Sequence, residues 1–456
     1  ILALVVTIIV LLILAGVAIS FTLGEDGILR RAQDAVDKYK EESENELIQL
    51  NKLTELIAVN QKATDIYVFL YSDGTLTLGT KNEVIEGKDV LKEYGNIKGK
   101  KYNNWLNKDN IRVSDNPWYN EAKLITKVEI LDNIIPLTMS NWFACLENLI
   151  EIKNIENIDT SECIDMEGLF FNCISLENLN LSTFETSNVT NMAGLFASDT
   201  TKELEQIIGL ENFNTSNVTN MSWMFYNCNK LTSLNLSSFD TSNVVSMSAM
   251  FAGGKDPMGL KEIIGIEKFN TNNVKDMSWM FQYCSNIEIL KLSNFNTSKV
   301  KTMSSMFMNC SKLKEVDLSN FNTSLVTDMG WMFNNCNSLE ELNLSSFDTS
   351  NVVSMSAMFA GSTDPMKLKE IIGIEKFNTN NVKNMKWMFQ YCSNIQSLDL
   401  GNFNTKKVTD MSYMFTFCQN LKTIYVGEDW DLSNVEEKIE MFTGCGTSTT
   451  TPKEEN

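Results

Sequence analysis

A phenylalanine closing an M-x-x-x-F motif or a close variant of it returns twelve times, at Phe143, Phe170, Phe196, Phe225, Phe251, Phe281, Phe307, Phe333, Phe359, Phe389, Phe415 and Phe442. The intervals are 26 or 27 residues in eight cases and 29 or 30 in three. A chain built on such a period stacks one short unit upon the next, and each unit buries its apolar face only against its neighbours. This accommodates 456 residues without one oversized core.

The common unit reads L-x-x-L-x-L-S-x-F-x-T-S-x-V-x-x-M-x-x-M-F-x-x-C, as in Leu231, Leu234, Leu236, Phe239, Thr241, Ser242, Val244, Met247, Met250 and Phe251. Its alternating leucines predict a strand with Leu234 and Leu236 inward and Asn235 outward, so that stacked units form a parallel sheet. Val244, Met247, Met250 and Phe251 stand at i, i+3, i+6 and i+7, the spacing of a short helix or 3₁₀ turn on the opposite wall. Phe239 plugs the corner. Thr241 and Ser242 precede the helical spacing, where hydroxyls cap orphan N–H groups, which predicts a ladder of caps. Longer units carry EIIG followed by Ile-Glu or Leu-Glu, with a charged insertion expected to bulge at one edge. Residues 234–290 and 342–398 differ at seven of 57 positions, an offset of 108, so a four-rung block has been duplicated.

Residues Ile1 to Leu23 carry no charge, long enough at about 1.5 Å per residue to cross a bilayer core as a helix. Apolar residues continue at helical spacing toward Asn60, opposite Glu41, Glu42, Glu44 and Glu46. The expected class is therefore α+β: a long N-terminal α-helix over 1–60, a small β-containing cap over 61–138, a solenoid of about twelve rungs over 139–447, and a polar tail over 448–456. Within the cap, YVFLYSDGTLTLGT turns at Asp73-Gly74 as a hairpin, and ITKVEIL at 125–131 is a second strand candidate. The cap is expected to cover the first rung's apolar end.

The chain has no histidine, and it shows no GxSxG, P-loop, dinucleotide-binding glycine motif or CxxC pair. No catalytic, cofactor or metal residues are assigned, and no enzyme activity is expected. A net charge of -20 argues against nucleic acid as a partner. Eight cysteines, Cys173, Cys228, Cys284, Cys310, Cys336, Cys392, Cys418 and Cys445, follow the key phenylalanine by three residues. Two readings stand, disulfides between neighbouring rungs or a column of buried free thiols. Single losses to Asp199, Gly254 and Ser362 favour thiols. The outward row of the sheet, Asn180, Asn235, Lys291, Asp317, Asn343 and Asp399, is the candidate ligand face, although no aromatic anchor stands in it. Trp223, Trp279, Trp331 and Trp387 lie on the other wall, two residues before the phenylalanine, as a surface strip or a contact with a neighbouring subunit. N-x-S/T triplets such as Asn217-Val218-Thr219 arise from the repeat itself.

The string ALVVTIIVLLILAGVAIS followed by LGEDGILRRAQDA resembles the N-terminus of type IV pilin-like proteins of Gram-positive bacteria. That resemblance implies export, removal of a leader, and helices bundled in a filament core, with Ile1, Leu4, Val5, Ile8, Leu11, Leu12, Ala15 and Val17 in the core. Val5 stands where many such pilins carry a glutamate. The F-x-T-S-x-V-x-x-M-x-x-M-F-x-x-C unit resembles the BspA-like leucine-rich repeats of bacterial surface proteins, which implies surface display and protein or host binding. Together they suggest a structural subunit of a type IV pilus-like extracellular filament. It would polymerise with itself, sit in the membrane before assembly and bind a host or cell-surface protein. The alternative is a membrane-anchored surface adhesin that does not polymerise.

Overall fold

The computed structural model describes residues 62–97, 100–106, 112–254, 256–364 and 366–453. The chain divides into two compact units, Ile1–Lys62 and Ala63–Asn456. The residues expected in a filament core, Ile1, Leu4, Val5, Ile8, Leu11, Leu12, Ala15 and Val17, lie outside the described residues. The α+β expectation is corrected. Across the described part of the second unit the elements are short strands and six 3₁₀ turns with no α-helix, and the unit is a β-solenoid of about twelve turns. Among the described residues no helix is long and apolar enough to cross a membrane.

Strand β1 (Tyr67–Tyr71) pairs antiparallel with β2 (Thr75–Gly79) across the turn at Asp73 and Gly74. There Gly74 takes a φ of 83° and Asp73 accepts the Thr75 N–H. Strand β3 (Val90–Asn96) pairs antiparallel with β1, and β4 (Asn104–Leu106) forms a separate hairpin with β5 (Arg112–Ser114). On its other side β2 pairs parallel with β6 (Lys127–Ile130), and β6 with β7 (Glu151–Lys153). The cap hairpin is thus the first two strands of the solenoid's own sheet, which leaves no bare edge at the first rung. Buried Trp118 and Trp142 knit cap to array, because both the Asn116 amide and the Trp118 indole N–H donate to the Trp142 carbonyl, each at 2.9 Å.

The sheet wall continues as parallel pairs: β8 (Asn178–Asn180) with β9 (Gln206–Ile208), β10 (Ser233–Asn235) with β11 (Glu262–Ile264), β12 (Ile289–Lys291) with β13 (Glu315–Asp317), β14 (Glu341–Asn343) with β15 (Glu370–Ile372), and β16 (Ser397–Leu400) with β17 (Thr423–Val426). Their central leucines and isoleucines point inward, as the alternation requires. Residues expected as a polar tail instead carry β18 (Thr451–Pro452), which pairs parallel with β17 and extends the sheet past the last rung.

The opposite wall is not helical. Along Met221–Cys228, alternate N–H groups cross to the next rung: Met221 to Ser246, Trp223 to Ser248, Phe225 to Met250 and Asn227 to Ala252, at 2.8–3.1 Å. The intervening N–H groups of Met224, Tyr226 and Cys228 close four-residue turns within the rung. Half of the backbone donors therefore leave the rung, and the i→i−4 bonds of an α-helix never form. The same spacing of buried residues is met by a chain of overlapping turns, with Trp223 and Asn227 at φ of 63° and 58°. At the head of each turn run a parallel bridge links each rung to the next, from Asp165–Asn191 through Asp410–Glu437. Inside this wall the twelve key phenylalanines stack in one column, with neighbouring ring centroids 5.5–6.1 Å apart.

The threonine ladder exists but works across rungs. Buried Thr297 donates its hydroxyl to the Asn322 carbonyl and accepts the Asn322 N–H, both at 2.8 Å. Thr241 does the same with Asn270, and Thr349 with Asn378. The local cap expected of Thr241 and Ser242 is supplied by Asp240, whose carboxylate accepts the Ser242 N–H at 2.9 Å. Asn217 of the N-x-T triplet donates to the Ser187 carbonyl of the previous rung at 2.7 Å, so its amide is already structural. Replacing Thr297 with the isosteric Val removes the hydroxyl from both the N–H and the carbonyl of Asn322, at a cost of about 1–3 kcal/mol. Urea unfolding of the Thr297→Val variant should show that loss. A change under about 0.5 kcal/mol would mean that the ladder adds nothing.

Candidate functional site

On the sheet face, the six residues expected as a ligand row stand where alternation puts them: Asn180, Asn235, Lys291 and Asn343 exposed, Asp317 and Asp399 half-buried. Much of their chemistry is already engaged. Oδ1 of Asn180, Asn235, Asp317, Asn343 and Asp399 each accepts the N–H two residues on, at 3.0–3.2 Å, in turns that bend the strand into the corner. The Ser319 hydroxyl and N–H hold the Asp317 carboxyl below its ordinary pKa. Lys453 reaches Oδ2 of Asp399 at 2.6 Å. Strand register also brings in residues that sequence reasoning missed, Ile208 beside Asn180, Ile264 beside Asn235, Ile372 beside Asn343 and Tyr425 beside Asp399. The EIIG motif was the available signal, since its second isoleucine occupies the outward position of the same strand.

The turn wall carries a different surface. Its left-handed positions form a column that reads Trp223, Ala249, Trp279, Ser305, Trp331, Ala357, Trp387 and Tyr413, with φ between 51° and 63°. Trp223 and Trp279 are 41% and 39% exposed here, whereas the small Ala249, Ser305 and Ala357 of the same column are buried. Exposed indoles on strained, non-glycine positions are costly to keep, by roughly 1 kcal/mol of backbone strain each. Trp223 and Trp279 meet across Ala249 with centroids 6.5 Å apart, Trp331 and Trp387 meet across Ala357 at 5.8 Å, and Tyr413 stacks on Trp387. Toward the N-terminus the column is continued by Gly168 and Gly194, and the missing side chains open a groove of about 310 Å³ bounded by Trp223, Tyr226, Asn141 and Asp199.

Beneath this wall lie the ionisable groups of the core. All ten cysteines are free, nine of them buried. In seven rungs the thiol donates to the carbonyl of the previous key phenylalanine, as Cys310 does to Phe281 and Cys336 to Phe307, both at 3.1 Å. Where the column is broken at Asp199, the fully buried Lys202 turns inward, and its ammonium donates to the Phe170 and Phe196 carbonyls at 2.9 and 3.2 Å. The corresponding position in the other long rungs is Met258 or Met366, also buried. Desolvation lowers the Lys202 pKa. At the last rung, interaction with the neighbouring Cys418 thiol lowers half-buried Cys445 to about 7. Among the described residues no group of His, Cys, Asp and Glu side chains is placed to hold a metal ion.

A family model described as "Mycoplasma protein of unknown function, DUF285" matches three consecutive stretches, 137–258, 257–370 and 343–453, and so spans the whole solenoid. The chain belongs to that family. The match begins past residues 1–60 and lends the pilin-like resemblance there no support. Three solved structures are similar. A leucine-rich repeat protein from Eubacterium ventriosum is 14% identical, with 85% of this chain and 94% of that chain covered and a TM-score of 0.30. One from Bacteroides ovatus is 16% identical, with 84% and 91% covered and a TM-score of 0.31. A leucine rich cell surface protein from Faecalibacterium prausnitzii is 14% identical, with 82% and 93% covered and a TM-score of 0.30. No curated protein matches the chain.

Two outcomes follow from the core of this family member. Because the folded state lowers the Lys202 pKa, the unfolded chain binds more protons up to the ordinary lysine range near pH 10.4, and wild-type stability rises with pH through that window. Lys202→Met should therefore stabilise the protein at pH 7, on the order of 1–2 kcal/mol, with the gain shrinking as pH approaches about 10.4. Denaturant unfolding at pH 7 and pH 10 checks both the sign and the slope. Thiol labelling of the native protein should modify Cys445 first, at a rate that climbs as pH passes about 7. Denaturation without reductant should release all ten thiols. Fewer than ten would establish disulfides.

Proposed function

We propose that this chain is a non-catalytic adhesive module at the bacterial cell surface that binds other proteins along its tryptophan-bearing wall. The observation that carries the reading is the column of indoles, left partly uncovered at positions where the backbone itself is strained. Tryptophan is among the residues most enriched where protein interfaces concentrate their binding energy. Held on alternate rungs and packed in pairs, these rings lose little freedom on binding, which lowers the entropic cost of a complex. The sheet face supports the reading less well, because its Asn and Asp oxygens already close the turns.

Surface display is supported by the uncharged stretch Ile1–Leu23, apolar enough to anchor a chain in a membrane. An anchored adhesin needs only the solenoid and a point of attachment. A pilus-like filament would need contacts from residues 1–60, outside the described residues, and the adhesive reading does not depend on them.

Purified full-length protein should bind members of an array of purified extracellular proteins in preference to an array of glycans. The quadruple variant Trp223→Ser, Trp279→Ser, Trp331→Ser and Trp387→Ser should lose that binding while keeping its far-ultraviolet circular dichroism. Binding to no protein on the array, or equal binding by the variant, would overturn the proposal.

A further inference from the structure

Seven of the eight cysteines in the column are fully buried, and each donates its thiol to the carbonyl of the previous key phenylalanine. The eighth, Cys445, is half-buried, and its thiol interacts directly with that of Cys418 on the rung before. The residues on either side of it explain the approach. A Cβ at Gly444, whose φ is 63°, would meet the Phe417 ring at 2.6 Å. A Cβ at Gly446 would meet the carbonyl oxygens of Gln419 and Leu421, both at 2.6 Å. With both side chains absent the backbone lies close against the eleventh rung, and the Gly446 N–H donates to the Cys418 carbonyl at 3.0 Å.

Successive rungs stand about 4.8 Å apart, inside the Cα separation of about 4.4–6.8 Å that a disulfide spans. Cys284, Cys310 and Cys336 meet that condition too, on consecutive rungs. Burial pushes the Cys284 and Cys336 thiols well above their ordinary range, so little thiolate forms there to begin an exchange. Cys445 is within reach of a reagent, and the neighbouring Cys418 thiol lowers it to about 7. An accessible, acidic thiol beside a buried one is the arrangement of an attacking and a resolving cysteine. The place in the fold gives such a pair a consequence. Met411, Tyr413, Phe415 and Phe417 of the eleventh rung donate to carbonyls of the twelfth at 2.8–3.0 Å, while residues 436–440 of the twelfth are exposed. Among the described residues no further turn run packs on it. A rung held from one side is where a one-dimensional array opens first.

We propose that Cys445 and Cys418 form a reversible disulfide that locks the twelfth rung to the eleventh, made by exchange with a small-molecule disulfide and undone by a thiol. The Cys445 thiolate attacks one sulfur of the reagent disulfide, forms a mixed disulfide and expels one reagent thiolate, which takes up a proton from water. Cys418 gives up its bond to the Phe389 carbonyl and attacks the Cys445 sulfur. Its proton passes to the second reagent thiolate as that group leaves. Two protein thiols are thereby oxidised to one disulfide and the reagent disulfide is reduced to two thiols, a transfer of two electrons. The closed loop, residues 418–445, contains β17 and the last turn run, so the terminal rung cannot swing away while the link stands. The tryptophan wall plays no part in this lock.

The test adds glutathione disulfide to the reduced full chain and compares it with the chain left reduced. On denaturation the count of free thiols should have fallen by two from the original ten, and peptide mapping should place one disulfide between Cys418 and Cys445. Amide hydrogen exchange across residues 427–446 should slow several-fold on oxidation and recover when a thiol is added, while exchange in the middle rungs stays unchanged. In the Cys418→Ala variant, Cys445 should stop at the mixed disulfide with glutathione. In Cys445→Ser, every remaining thiol should stay free. Circular dichroism confirms that each variant is folded, and should Cys418→Ala fail to fold, the wild-type map and Cys445→Ser still decide. A wild-type chain that stops at the mixed disulfide, joins two chains through Cys445 or pairs other cysteines would overturn the inference. So would a Cys418–Cys445 disulfide that leaves exchange in the last rung unchanged.

Discussion

The solenoid depends on one division of labour in its backbone. Along the turn wall, alternate N–H groups serve the rung they belong to and the next rung, so no rung is complete without a neighbour. An isolated unit would leave half of these donors and its apolar interior in water. The phenylalanine column follows from the same arrangement. Once successive backbones are tied position by position, equivalent side chains must fall in register, and rings at 5.5–6.1 Å fill the space between them. Stacking is a consequence of the ladder as much as a cause of it.

Polar residues near the corners are recruited to the same end. The threonine hydroxyls bridge to the following rung and the asparagine amides to the preceding one, and together they satisfy backbone groups that the tight corners would otherwise strand. Many of the amides, hydroxyls and N-x-T triplets that look available on the page are thereby used up. The cysteine thiols do the same within the core, and where one is absent the chain fills the place with the amine of Lys202, which reaches the same class of carbonyl at the expense of desolvating a charge. A one-dimensional array tolerates such a local defect because its effect is confined to adjacent rungs.

The two long faces inherit opposite characters from this scheme. The sheet face ends five of its strands in a side-chain-capped turn, so most of its outward polar row is held by the fold. On the turn wall the left-handed position buries small residues such as Ala249, Ser305 and Ala357 and leaves Trp223 and Trp279 exposed. What stands at that position varies from rung to rung, and here it is tryptophan in four rungs, with asparagine, glycine, alanine, serine, tyrosine or glutamate in the others. Duplication of the four-rung block copied this face, and substitutions beside Trp279 and Trp387 made the copies chemically unequal.

The period, the number of rungs, the buried leucines, methionines and phenylalanines, the Asp73-Gly74 hairpin and the cysteine column were all legible in the sequence. Each follows from spacing and from the cost of exposing apolar surface, both of which are local properties of the chain. The path of the turn wall was not legible. A helix and a run of overlapping turns bury the same residues at i, i+3, i+6 and i+7, and they differ in where the N–H groups go. That choice is made by carbonyls 25 to 30 residues away, which come within reach only when rungs stack. The same is true of the binding faces. Sequence placed Asn180 and its equivalents outward, but only the assembled corner showed their oxygens engaged. It placed four tryptophans on one wall, but only the stacked rungs set Lys386 over Trp387 and left Trp279 uncovered, because contacts between side chains of different rungs are fixed by register and not by order along the chain.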